Sequence, residues 1–240
     1  MPIVKWDKDE TVAVLTLTNG ENRQNLDFAN AMLSAMEEIM ADETVSSLVL
    51  TSDDEKNFSL GVDLEWLMGR MGENDTDAIK NFMYRMNDVF KALLLCPVPV
   101  IAAINGHAFG NGAILACACD FRLMRSDRGY FCFPEVDLGI PFLPGMIAWV
   151  KKAIPYYKFQ QLKFTGKRAT AEELAEHHVI EKACNGLDEL MAEAIAFGKT
   201  FQKKRGIFGE MKKRLHKHII EAIENEDPAF IEALFLTVSD

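Results

Sequence analysis

Ile104–Asp120 reads INGHAFGNGAILACACD. Gly106, Gly110 and Gly112 fall within seven residues, and the run behind them is small, apolar and uncharged as far as Asp120. Glycine gives a loop conformations and close backbone approaches that other residues block, and a helix without charge on any side reads as buried all round. Upstream, Cys96-Pro97-Val98-Pro99 stops a helix and Val100–Ala103 supplies a short apolar strand. The stretch is the turn of a strand–loop–helix unit.

The same alternation extends outward. Ile3–Trp6 and Thr11–Leu17 read as an opening hairpin, the second run alternating at period two. Asp27 precedes Phe28, Met32, Met36 and Ile39 at helical spacing and reads as the start of a helix; Ser47–Thr51 is a buried strand, and Ile79–Leu95 a long amphipathic helix. Ala113–Cys119 is a short helix, with Phe121–Met124 and Tyr130–Phe133 as strands. Strands separated by helices imply right-handed crossovers and parallel pairing. After Phe142 the strand signals stop, and Phe142–Ile154, Tyr156–Phe164, Ala171–His177, Leu187–Phe201, Ile207–Ile223 and Pro228–Val238 read as helices. The expectation is an α/β core over residues 1–185 and a helical region over 186–240. Gly69–Asp77, GRMGENDTD, is expected to be a mobile surface loop.

The chain has 240 residues and a net charge of −10, which excludes a protein whose main partner is nucleic acid. No apolar run approaches a bilayer crossing, and the charged N-terminus lacks an export signal, so a cytoplasmic location is expected. Five cysteines, an odd number scattered through apolar segments, predict reduced core thiols. The exception to the acidic balance is a run of Lys203, Lys204, Arg205, Lys212, Lys213, Arg214 and Lys217, which reads as a solvated helix face or as a site for a small anion.

Several motifs fail on inspection. Thr165-Gly166-Lys167-Arg168 lacks the first glycine and the hydroxyl residue of a phosphate loop, and Gly110-Asn111-Gly112 lacks the third glycine of a dinucleotide fingerprint. Cys117 with Cys119, and His216 with His218, are spaced two apart, which separates them on a helix and disfavours a metal site. No serine sits in a Gly-x-Ser-x-Gly elbow. His107 reads as a hydrogen-bonded structural residue.

Three segments remain: Lys56–Leu64 (KNFSLGVDL), the opening stretch, and Phe133–Pro141 (FPEVDLGIP). In order and nearly in spacing they resemble the enoyl-CoA hydratase/isomerase (crotonase) superfamily. The resemblance implies a spiral of ββα units, with a helical C-terminal region that builds trimers or hexamers. It implies an acyl-CoA thioester substrate, no separate cofactor and no metal, and a place in fatty-acid β-oxidation. It further implies that the backbone N–H groups of Val62 and Asn111, each beside a glycine (Gly61, Gly110), hold the thioester oxygen as it gains charge. Such an oxyanion site has a physical warrant, because glycine-rich turns entering helix N-termini present unobstructed donors. Coenzyme A would lie along Ser59, Leu60, Gly61, Asp63 and Leu64, with its phosphates near Lys56 and part of the C-terminal basic run. Asp63 and Asp120 read as loop and helix-end hydrogen-bond acceptors.

Hydratases of this superfamily use two glutamates. The first falls on Ile114, which transfers no proton; the second falls on Glu135. A single base suffices to move a double bond from C3 to C2, so the resemblance narrows to the single-glutamate Δ3-Δ2-enoyl-CoA isomerases, with Glu135 as acid and base. The aspartate of dienoyl-CoA isomerases would fall on Leu143. Phe131, Phe133, Pro134 and Val136 around Glu135 predict a raised pKa. Other thioester chemistry on the same site (hydration, hydrolysis or decarboxylation) and a non-catalytic CoA-ester binder are the alternatives. Met68, Met71, Met83, Met86 and Phe90 line an acyl pocket or are plain core.

Overall fold

The computed structural model describes residues 2–238. The opening hairpin is β1 (Val4–Asp9) and β2 (Val12–Leu17), paired antiparallel. Three similar turns of chain follow, each laying one strand in a large sheet and the next in a small one. They begin with β3 (Ser47–Ser52) and β4 (Asn57–Ser59), continue with β5 (Val100–Ile104) and β6 (His107–Phe109), and close with β7 (Phe121–Arg125) and β8 (Phe131–Cys132). With β9 (Lys182–Cys184), the large sheet runs β1-β2-β3-β5-β7-β9, parallel after the hairpin, and the small sheet runs β4-β6-β8, parallel throughout.

The helices between the strands are α1 (Leu26–Ala41), α2 (Leu64–Gly72), α3 (Thr76–Leu94) and α4 (Asn111–Ala118). A 3-10 turn at Pro134–Val136 leads to α5 (Pro144–Ala153), α6 (Tyr156–Thr165) and α7 (Ala171–Glu176). The chain ends in α8 (Gly186–Lys199), α9 (Arg205–Leu215), α10 (Lys217–Asn225) and α11 (Asp227–Glu232). Among the described residues, no helix is long and apolar enough to cross a membrane.

Period-two alternation divides the large sheet between two cores. Leu15, Leu17, Leu50 and Ala102 face α1, α3 and α5, while Val12, Val49, Ile101 and Leu123 face α8 through Leu190 and Ala194. The helical region after residue 185 is therefore continuous with the α/β core, because its first helix covers the second face of the sheet. Every residue of α4 is buried, which explains its lack of charge, and the indole of Trp149 on α5 donates to the Ile114 carbonyl at 3.2 Å. All five cysteines are free and buried.

Some local expectations are corrected. The cap of α1 is Asn25, whose side chain accepts from Phe28 N, and Asp27 lies inside the first turn, where a carboxylate suits the helix dipole. The expected loop at Gly69–Asp77 is mostly helix: Asp63 caps α2, and Leu67 and Met71 recur at helical spacing through the two glycines. The late strand β9 is too short and too polar to read in advance. The expected helix at Ile207–Ile223 breaks between α9 and α10 at His216. That at Pro228–Val238 stops at Glu232, with Leu234 in a left-handed conformation, and the tail continues without regular structure to Val238, whose N donates to Gly139 O at 2.7 Å.

One buried ion pair binds the C-terminal helices to the sheet. Asp120 accepts from Val100 N at 2.8 Å and from Lys212 Nζ on α9 at 2.7 Å, and Lys212 also donates to Leu93 O at 3.1 Å. The two side chains are only 5% and 13% exposed. Removing one partner of such a pair strands the other charge. Asp120→Ala is expected to destabilise the fold by about 3–5 kcal/mol, measured as a fall in the urea unfolding midpoint at fixed protein concentration.

Candidate active site

Three loops leave the same end of the small sheet because its three strands are parallel. Leu60–Val62 follows β4, Gly110–Asn111 follows β6 and Phe133–Glu135 follows β8. Gly61 has φ +80°, and a Cβ there would lie 2.8 Å from Phe109 O and 2.9 Å from Asn111 N. Only glycine lets the first two loops approach so closely.

Val62 forms a parallel bridge with Gln24, in which the bonds are made by its neighbours: Gln24 N donates to Gly61 O at 2.8 Å and Asp63 N to Gln24 O at 2.9 Å. Asn111 opens α4, where the first N–H groups have no partner within the helix. Among the described residues neither the Val62 N–H nor the Asn111 N–H is bonded to a protein acceptor. Two adjacent free donors at a helix N-terminus suit an oxygen bearing negative charge.

Glu135 lies in the 3-10 turn and is 7% exposed. Gly110, with φ +54°, lies against it, since a Cβ there would be 3.1 Å from Glu135 Oε1. Glu135 Oε2 has no hydrogen-bond partner among the described residues. Burial pushes the carboxyl up from 4.5 to about 7, partly offset by a bond to its own backbone N–H and by the charge of Lys163. The turn also separates Glu135 from Asp137, which an extended segment would have put on the same side; the Asp137 carboxylate lies against Gly166 instead.

The cleft over these groups encloses about 1090 Å³, counted to its open mouth, and is walled mainly by hydrocarbon. Val62, Asn111, Glu135, Leu60, Leu64 and Gly110 line it; Lys56, Ser59, Gly61 and Asp63 do not. Lys56 is exposed on the surface, Ser59 Oγ is engaged with Asn22 O, and Asp63 caps α2. Met83 and Met86 join the lining, whereas Met68 and Met71 are exposed and Phe90 is core. Ile114 and Leu143 both line the cleft, so each position where a second acid was considered is occupied by hydrocarbon. Leu236 and Thr237 of the C-terminal tail close one side.

Within the basic run, Lys212 and Arg205 are structural, Arg205 donating to Met40 O and Asp42 O; Lys203, Lys204, Lys213 and Lys217 are exposed and away from the cleft. His107 Nδ1 accepts from Tyr130 N at 3.2 Å. Two neighbours of the site escaped sequence reading. Gln24, in the polar stretch NGENRQN, is fully buried between the first two loops. Lys163 on α6 holds a buried Nζ 3.4 Å from the Phe142 ring centroid, and no hydrogen-bond partner is found for it among the described residues.

This architecture is the crotonase fold. Residues 7–233 match the family model described as enoyl-CoA hydratase/isomerase. The chain belongs to that family. It is 30% identical over 234 residues to the peroxisomal enoyl-CoA delta isomerase 2 of Arabidopsis thaliana, covering 93% of this chain and 96% of the relative. It is 33% identical over 178 residues to the short-chain-enoyl-CoA hydratase of Clostridium acetobutylicum, covering 73% and 66% of the two chains. In fold it is similar to an enoyl-CoA hydratase/isomerase family protein from Pseudomonas syringae, with a TM-score of 0.86, 20% identity and coverage of 96% and 97%.

Burying Glu135 has a cost that depends on pH. Below 4.5 the carboxyl is protonated in folded and unfolded chains alike. Between 4.5 and about 7 the folded state keeps a proton that the unfolded state releases, so stability falls as pH rises. Glu135→Gln is expected to stabilise the protein by roughly 3 kcal/mol at pH 8, with the gain vanishing near pH 4, in urea unfolding measured across that range.

Proposed function

We propose that this protein is an enoyl-CoA isomerase that moves a double bond from C3 to C2 of an acyl-CoA thioester. The observation that carries the reading is that Glu135 is the one acidic residue lining the cleft among the described residues, with Ile114 and Leu143 at the positions of the alternative acids. A hydratase needs a group to activate water as well as one to handle the α-proton, and Ile114 does neither.

In this reading the thioester oxygen sits between the N–H groups of Val62 and Asn111. The ionised Glu135 takes a proton from C2; the C–H electron pair moves into the C1–C2 bond and the carbonyl π electrons move onto the oxygen, giving a dienolate. The same carboxyl, now protonated, returns the proton to C4 on the same face, and the electrons flow back to leave the double bond between C2 and C3. Both partners of that exchange benefit from a carboxyl that titrates near 7, because it is present as base and competent as acid at neutral pH. The hydrocarbon walls keep water from the dienolate and strengthen both amide contacts. Coenzyme A arrives and leaves with the acyl group, so no further cofactor is needed. We assign its adenine end to the rim near Leu60 and Leu64, with Ser59 buried behind it, and its phosphates to exposed cations including Lys56. Assembly into trimers or hexamers through the C-terminal helices and a role in fatty-acid oxidation belong to the same proposal. Relatives with peroxisomal names leave the compartment a separate matter from the chemistry.

Glu135→Gln is expected to lower turnover of 3-enoyl-CoA by on the order of 10²–10⁴-fold while a saturated acyl-CoA still binds in calorimetry; unchanged turnover would refute the assignment. In the active protein, kcat/KM should rise with pH through about 7 as Glu135 ionises. Lys163→Met removes a cation that favours the carboxylate, so the acid limb of the profile should move to higher pH while the plateau is kept.

A further inference from the structure

Gln24 sits between the two loops that carry the free N–H groups, and it holds both. Its backbone is bonded to Gly61 O and Asp63 N, on either side of Val62. Its side chain reaches the other loop: Gln24 Oε1 accepts from Asn111 Nδ2 at 2.6 Å, and Gln24 Nε2 donates to Ser59 Oγ at 3.1 Å and faces Asn111 O at 3.4 Å. Ser59 Oγ in turn accepts from Gly61 N at 3.2 Å and donates to Asn22 O at 2.7 Å. Gln24 and Ser59 are fully buried and Asn111 nearly so, which keeps water from substituting for these bonds.

We propose that Gln24 is a positioning residue for the oxyanion site, its side-chain amide fixing the separation of the Val62 and Asn111 N–H groups. The inference rests on the reading that these two amides receive a thioester oxygen. Such a pair works only when both donors lie at hydrogen-bond distance from one point, and it gains nothing from donors that must first reorganise. Backbone packing brings the loops together at Gly61; the amide of Gln24 adds the cross-tie that keeps Asn111 from rotating away. A hydrocarbon at this position would fill the same space but remove the Oε1 acceptor of Asn111 Nδ2 and one of the two donors to Ser59 Oγ.

The test uses Gln24→Met, which keeps the length of the side chain and removes its amide, with Gln24→Glu as a second variant that retains an acceptor for Asn111 Nδ2. Infrared difference spectra of bound hexanoyl-CoA carrying ¹³C at the thioester carbonyl report how strongly the two donors polarise it, and this saturated ester does not react. Wild-type protein should lower the carbonyl stretch relative to free ester, and Gln24→Met should return it toward the free value. In parallel kcat should fall by about 10²-fold, with little change in KM and with the acid limb still near that of the wild type. Should Gln24→Met misfold, Gln24→Glu carries the test, with a carbonyl shift and a kcat between those of Gln24→Met and wild type. An unshifted carbonyl in the folded Met variant, or kcat within twofold of wild type, would overturn the role of Gln24 and leave the isomerase reading intact. A polarised carbonyl in wild type without double-bond migration would instead remove the reaction and keep the cross-tie.

Discussion

Everything at the site depends on the parallel pairing of three very short strands. Ser59 is in register with Ala108, and Ala108 with Phe131, so the loops that follow β4, β6 and β8 emerge side by side from one end of the small sheet. An antiparallel strand in the middle would send its loop to the opposite end and separate Asn111 from Val62 and Glu135. The ββα spiral enforces the parallel arrangement, because each turn must cross back through a helix before laying down the next pair of strands. Strands of two or three residues would not pair stably by themselves. Here the large sheet and α4 fix their ends, and the large sheet's own strands are locked by two apolar cores.

Within that frame, the chemistry follows from what the cleft excludes. A carboxylate in hydrocarbon is costly, and burial accordingly pushes the Glu135 carboxyl up to about 7. The same burial turns an ordinary acid into one that exchanges protons near neutrality. The ammonium of half-buried Lys163, itself pushed down to about 8 by burial, opposes part of that shift. Ile114 and Leu143 are as informative as the glutamate, since among the described residues Glu135 is the one acidic side chain that lines the cleft.

Much of this was legible in the chain and some was not, for physical reasons. The glycines at 61 and 110 stand out because backbone geometry admits few substitutes, whereas Glu135 and Ile114 were singled out by the resemblance, which located the two acid positions. The strands β4 and β6 were missed: Asn57-Phe58-Ser59 and His107-Ala108-Phe109 are too short to show a period and sit among polar and glycine residues. Gln24 lies 87 positions from Asn111, and only the folded chain brings the two amides together. Nothing in the sequence around Lys163 distinguishes it from other helix cations, and only the fold brings its ammonium over the Phe142 ring. The basic run illustrates the reverse case, for its charge density was visible while the burial of Lys212 and the backbone contacts of Arg205 were not.

The central claim is that the bound thioester exchanges protons with Glu135 and never receives water. Turnover of a 3-enoyl-CoA in H₂¹⁸O, followed by mass spectrometry and NMR of the product, tests it directly. A 2-enoyl-CoA free of ¹⁸O is the predicted outcome. A 3-hydroxyacyl-CoA carrying ¹⁸O, or a free acid with ¹⁸O in its carboxylate, would contradict the account and assign the site to hydration or hydrolysis.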